Sequence, residues 1–216
     1  MHKLSKTRKP TENLEAIAEE AHHSLSARDA ARENTLRLCR KVIRHSANAI
    51  RAIHRQEKTN AEQLLDSAHV FLKQLNHDIP DEHSDLRYAG FVHDAQKEFA
   101  EASITLSIVN TTPLPDPKTL GITYPAYLNG MGEAVGELRR YLLDGLRHND
   151  LSRCEELLEA MDDIYSTLVT MDYPDVITHG LRRTTDAVRG ILEKTRGELT
   201  LVLRQKELED KLEQRK

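Results

Sequence analysis

Residues 12–55 read ENLEAIAEEAHHSLSARDAARENTLRLCRKVIRHSANAIRAIHR, and the stretch holds neither glycine nor proline. Both breakers are in fact absent all the way from Pro10 to Pro80. Because these are the residues that cost a helix interior most, and no β-branched alternation competes, helix is the economical reading of the whole span. Leu14, Ile17, Ala18, Ala21 and Leu25, then Leu36, Cys39, Val42, Ile43, Ala49, Ile50 and Ile53, recur at helical spacing. The pattern predicts one very long helix, or two nearly collinear ones, over 12–55. Such a length points to a long bundle or to a helix that also builds an oligomer.

Working outward, Thr59 and Asn60 offer an N-cap for a second helix that stops before Pro80, and Asp81 to Ser84 open a third running to about Val109. The third helix shows an apolar side at Tyr88, Phe91, Ala95, Ala102, Leu106 and Val109, with Glu98 at its edge and Glu101 further round. Pro113, Pro115 and Pro117 make a stiff joint. A fourth helix starts at Tyr124-Pro125, a fifth spans Arg153 to about Val169, and a last one runs from Leu181 towards Leu212 with a strong apolar seam. The expected fold is all-α, an elongated antiparallel bundle of about six or seven helices. Residues 1–11 are expected to form a basic tail and 12–216 one helical domain.

Composition narrows the function. A chain of 216 residues with 31 basic against 35 acidic residues and 38% hydrophobic content is neither a disordered tail nor a uniformly basic nucleic-acid binder. No apolar run approaches about 18 residues, and no apolar segment follows the basic start, so no membrane role and a cytoplasmic location are expected. Cys39 and Cys154 lack metal-type spacing and read as buried, reduced thiols.

Two acidic pairs flank the proline joint: Glu98 and Glu101 in an E-x-x-E, Glu133 and Glu137 in an E-x-x-x-E. Residues three or four apart share a helix face, so each pair presents two carboxylates in one direction. Facing helices would gather four carboxylates, a site suited to Mg²⁺ or Mn²⁺; on solvated faces the same spacings mean nothing. Ala126 and Gly130 share the face of Glu133 and Glu137, and small residues allow another backbone to come near. A ferritin-like di-iron site is excluded, because neither Glu98 nor Glu133 is followed by His three residues on. On the first helix, Arg37, Arg40, Lys41, Arg44, Arg51 and Arg55 fall within a face roughly 100° wide, a one-signed stripe that suits a polyphosphate backbone. The histidines, His54 among them, are scattered and read as surface or packing residues.

The motifs Glu98-Phe99-Ala100-Glu101-Ala102, Tyr127 to Arg140 (YLNGMGEAVGELRR) and Tyr173-Pro174-Asp175-Val176-Ile177-Thr178, followed by Leu181-Arg182-Arg183, carry a resemblance to the translin family. The chain is most similar there to the translin-associated factor X (TRAX) branch and its archaeal relatives, over about 28–203. That branch has an acid at the position of Glu133 as well as that of Glu137; here Glu stands where the family has Asp, a ligand arm longer by one methylene. The resemblance implies a hollow, octamer-like barrel with RNA on a basic inner surface. It further implies a metal-dependent endoribonuclease acting on single-stranded or partly unpaired RNA, with Glu98, Glu101, Glu133 and Glu137 as catalytic Mg²⁺ ligands and Mn²⁺ as a substitute. The Arg37–Arg55 stripe would hold the RNA backbone. Two other readings stay open: a non-catalytic translin-like scaffold for single-stranded RNA or DNA, and a helical protein-interaction module whose acids are merely solvated.

Overall fold

The computed structural model describes residues 11–214, so most of the expected basic tail lies outside the described residues. Helix α1 runs unbroken from Leu14 to His54, 41 residues and roughly 60 Å. Its first half lies outside the core and is held to the rest of the molecule at its inner end, where Arg28 pairs with Asp85 and Arg32 lies over the Phe91 ring. Leu14, Ile17 and Leu25 are exposed, and burial begins only near Thr35, with Leu38, Val42, Ala49 and Ile53 in the core. Gln56, at φ 59°, turns the chain into α2 (Lys58–Asp78), which packs back along α1.

The expected third helix is in fact two elements. A 3₁₀ segment, Asp81–Tyr88, ends at an extended Ala89, and only then does α3 (Gly90–Val109) begin. Its buried set also differs from the expected stripe. Val92, Phe99, Ala100 and Ile104 are buried, whereas Tyr88 is exposed and Phe91, Leu106 and Val109 are half-buried. The physical reason is that α3 lies between α1 and α5 and also touches α2, so no single stripe describes it.

The proline joint is ordered by its own side chains. Asp116 accepts from the backbone N–H of Lys118 (2.9 Å) and Thr119 (3.0 Å), capping the single-turn α4 (Pro117–Leu120), and Gly121 at φ 70° ends it. Helix α5 (Tyr124–Arg147) then runs through the middle of the molecule, in contact with α3, α6 (Cys154–Val169) and α8 (Leu181–Glu213). A short α7 (Asp175–Thr178) precedes α8. The described residues thus form an all-α bundle of six long helices, two single-turn ones and the 3₁₀ segment, with no strand. Both cysteines are buried and unpaired, and burial pushes the Cys39 thiol up to about 12. None of the described helices is long and apolar enough to cross a membrane.

Candidate metal centre

What places the acids is the register of α3 against α5. At the start of α5, Thr123 donates both its backbone N–H (3.1 Å) and its hydroxyl (3.0 Å) to the buried Gln96 side-chain oxygen of α3. Further along α5, Gly130 meets α3 directly. A Cβ added there would sit 2.6 Å from the Lys97 carbonyl oxygen and 2.7 Å from the Ala100 Cβ, so only glycine lets the two backbones approach this closely. The small residue that the sequence placed on the acidic face therefore does bring a second helix to it. On the far side, Asn129 donates to the Thr178 carbonyl (2.8 Å) and accepts from the Thr184 hydroxyl (2.8 Å), and Arg139 bonds Thr195 and Glu198, fastening α5 to α7 and α8.

This register draws Glu98 and Glu101 of α3 together with Glu133 of α5: a carboxylate oxygen from each lies within 4.8 Å of the others. A single Mg²⁺ bound at 2.0–2.1 Å needs ligand oxygens about 3–4 Å apart, so small side-chain rotations suffice to close the set. All three line one cavity of about 510 Å³, with Arg183, Thr184 and Ile191 of α8 on its other wall. A larger cavity, about 780 Å³, lies between the end of α6 and the start of α8 around Tyr173 and Arg182, but among the described residues no three of its side chains converge as these carboxylates do.

The cluster is overcharged. Burial first, then the negative charges of Glu133, Glu98 and Glu137, push Glu101 up to about 8; burial and Glu133 raise Glu98 as well. The cation that reaches into the cluster is Lys97, whose ammonium meets Glu133 at 2.6 Å. Its burial works against the charged form, but the bond to Glu133 and the neighbouring acids outweigh it and hold Lys97 above the ordinary lysine range. Half-buried oxygen ligands with surplus negative charge fit a hard dication. The expected order of the two α3 acids is reversed, because Glu101, not Glu98, is the one pressed deeper against α5.

Glu137 stands apart from the other three. Its Oε2 accepts from His54 Nε2 at 2.5 Å, with Arg140 behind it at 3.8 Å, and the His54 bond holds Glu137 below the ordinary carboxylate range. Its charge still reaches the cluster, since it contributes to the rise of both Glu98 and Glu101. His54 is buried, its Nε2 faces the acid, and its Nδ1 has no partner among the described residues. Spacing gives no hint of this pair, which joins residues 83 apart in the chain.

The basic stripe does lie on the outward side of α1. Arg37, Arg40, Arg44, Arg51 and Arg55 are exposed or partly so, and Lys41 is half-buried. Arg37 and Arg51 bond only neutral Asn34 (2.6 Å) and Asn48 (2.9 Å), and Lys41 sits 4.6 Å from the centre of the Phe71 ring. Among the described residues, Arg55 is the one of the six in an ion pair, a two-pronged contact with Glu57 at 2.6 and 2.9 Å.

Fold and site together define an all-helical bundle with carboxylates from two central helices converging on one point. The chain shares 32% identity over 192 residues, 87% of its length and 83% of the relative's, with an uncharacterized protein of Methanocaldococcus jannaschii. Among solved structures, AfC3PO matches with a TM-score of 0.77 at 32% identity, covering 86% of this chain and 96% of that one. The same protein in its duplex RNA complex matches at 0.75, also at 32% identity, over 86% and 95% of the two chains. The apo form of NeC3PO has the same fold at 17% identity, with a TM-score of 0.75 over 91% of this chain and 99% of that one. No family model matches. This chain belongs to the translin–TRAX family, the family of the C3PO proteins.

Proposed function

We propose that this chain is a divalent-metal-dependent endoribonuclease that cleaves single-stranded or partly unpaired RNA. The observation that carries the reading is the convergence of Glu98, Glu101 and Glu133 from two helices into one overcharged, half-buried cluster. Kinship to AfC3PO, a protein solved with duplex RNA, supports the choice of RNA as substrate.

In this reading Glu98, Glu101 and Glu133 hold Mg²⁺ or Mn²⁺, with Glu137, fixed by His54, as the fourth carboxylate of the set. When bound, such a cation supplies a water of lowered pKa and neutralises charge developing on the phosphate. Lys97, freed from Glu133, and Arg183, on the same cavity wall, bind the non-bridging phosphate oxygens. The stripe from Arg37 to Arg55 holds the RNA backbone without reading sequence. The exposed apolar residues at the free ends, Leu14, Ile17 and Leu25 on α1 and Leu201, Leu208 and Leu212 on α8, support assembly of several copies into a barrel-like oligomer.

The test is cleavage of end-labelled single-stranded RNA with Mg²⁺ or Mn²⁺. Glu133→Ala combined with Glu137→Ala should lower the rate by about 100-fold or more while RNA binding persists. An unchanged rate would refute the site. Salt-sensitive binding with no cleavage by the unmodified protein under either metal would make the chain a scaffold instead.

A further inference from the structure

The acid cavity does not end at the acids. It shares Glu133, Arg183 and Thr184 with a second lobe of about 400 Å³ that also holds Lys97, His93 and His179. That lobe in turn shares His93 and His179 with a third cavity of about 200 Å³, whose walls include Tyr88, Gln96, Pro125 and Ile177. The three cavities thus adjoin in order: three carboxylates in the first, Lys97, Arg183 and Asp94 in the second, and in the third Tyr88, Pro125 and Ile177 together with the polar Arg87, Gln96 and Thr123.

The chamber is built around a pair of rings. His93 and His179 lie face to face, with centroids 4.2 Å apart and planes 12° from parallel. His179 reaches this position from a left-handed backbone, φ 52°, followed by Gly180 at φ 82°, a conformation that costs an L-residue energy. Burial, then the neighbouring His179, keeps His93 below the ordinary histidine range. Tyr88 sits on the rim, 76% exposed and with no packing role. Gln96, whose side-chain oxygen accepts from Thr123, also lines the chamber. At about 200 Å³ the space is smaller than the roughly 300 Å³ at which pockets for whole drug-sized ligands begin, and it suits one flat group.

We infer that this chamber is a nucleobase subsite, holding the unstacked base of a nucleotide beside the scissile phosphate. The order along these cavities matches that of one nucleotide unit: base among His93, His179 and Tyr88, and the adjoining scissile phosphate between Lys97 and Arg183 on one side and the acids on the other. The inference rests on the nuclease reading of the acid cluster and adds a substrate requirement to it. A paired, stacked base cannot enter the chamber, so the subsite selects a single strand or a base that leaves its stack.

The experiment scans a single abasic ribonucleotide along an end-labelled RNA and measures, with the full chain and Mn²⁺, the cleavage rate at each bond. The expected result is a loss on the order of tenfold at a bond only when the abasic unit occupies one fixed position relative to it. Tyr88→Ala, at an exposed residue, and His179→Asn, which keeps a residue tolerant of the left-handed backbone, should each slow the intact strand and shrink its advantage over the abasic one. A flat abasic scan with normal cleavage of the intact strand overturns the subsite and leaves the nuclease reading standing. If no strand is cleaved, the nuclease reading has failed. The subsite is then decided by fluorescence anisotropy of an intact and a fully abasic tetranucleotide: tighter binding of the intact one supports it, and equal affinities overturn it.

Discussion

The two charged regions of this chain are built in opposite ways. Glu98, Glu101 and Glu133 stand where α3 and α5 touch, and the same close approach at Gly130 that joins the helices sets the distances between the carboxylates. The cations of α1, from Arg37 to Arg55, are placed by helix register alone and, Lys41 apart, point outward. Packing therefore dictates the geometry of the first region and is indifferent to the second. Changes in the acidic region should move stability and chemistry together, whereas changes on the basic face should move binding alone.

The sharpest way to break this contrast is Gly130→Ala. The added methyl meets backbone, the Lys97 carbonyl oxygen at 2.6 Å and the Glu101 nitrogen at 2.9 Å, so α3 and α5 must part. Overpacking of this kind costs about 1–3 kcal/mol, and a parted pair no longer aligns three carboxylates. Chemical denaturation should show that loss, and RNA cleavage should fall by about 100-fold or more, since misplacements near 1 Å already cost this much. Wild-type stability with wild-type cleavage would mean that the close approach does not set the site.

Next in size is His54→Ala. It leaves Glu137 without its 2.5 Å partner, and if Glu137 is the fourth ligand proposed above, the loss of the group that orients it costs about 10–100-fold in metal affinity. Titration calorimetry with Mn²⁺ reads this directly. His54→Gln, which keeps a donor, should recover part of the loss, and a variant that merely loosened the fold would not distinguish the two substitutions.

The long helix is legible because 69 residues between Pro10 and Pro80 offer no breaker, and the acidic pairs are legible because their spacing is local. Gly130 can be suspected for the same reason. What stays hidden is long-range. Periodicity assigns one apolar stripe to α3, but α3 is covered on more than one side, so the pattern puts Glu98 at the stripe's edge and Glu101 further round when Glu101 is the deeper acid. The pairing of His54 with Glu137 spans 83 residues, and the stacking of His93 on His179 depends on a left-handed backbone that no helical pattern signals. The break at Ala89 escapes the pattern because Asp81 to Ser84 resembles a cap, and the segment it opens is 3₁₀.

A smaller effect tests the charge imbalance. Glu101 has an ordinary value of 4.5 and is pushed up to about 8 in the fold, so between these values the folded state binds more protons than the unfolded one. That stability is fully present below about pH 4.5 and is lost as pH rises towards 8. Metal-free protein should therefore melt at a lower temperature near the top of this window, at about pH 8, than near its foot, at about pH 5, and Glu101→Gln should flatten the trend. Added Mg²⁺ should restore stability most at the alkaline end, where the carboxylates are ionised.

The smallest structural effect, and the cleanest separation of the two regions, belongs to Arg40→Ala with Arg44→Ala. Both residues are exposed, neither forms an ion pair among the described residues, and surface changes of this type stay within about 0.5 kcal/mol. Circular dichroism and melting should be unchanged. If the face carries RNA, affinity for a single strand falls only a few-fold at moderate salt. The slope of log affinity against log salt becomes shallower by about 1.4, roughly 0.7 for each phosphate of a single strand that is no longer neutralised. An unaltered slope would remove these two arginines from the RNA path while leaving the acid cluster untouched. A lowered melting temperature would instead show that the basic face is tied to the packing after all.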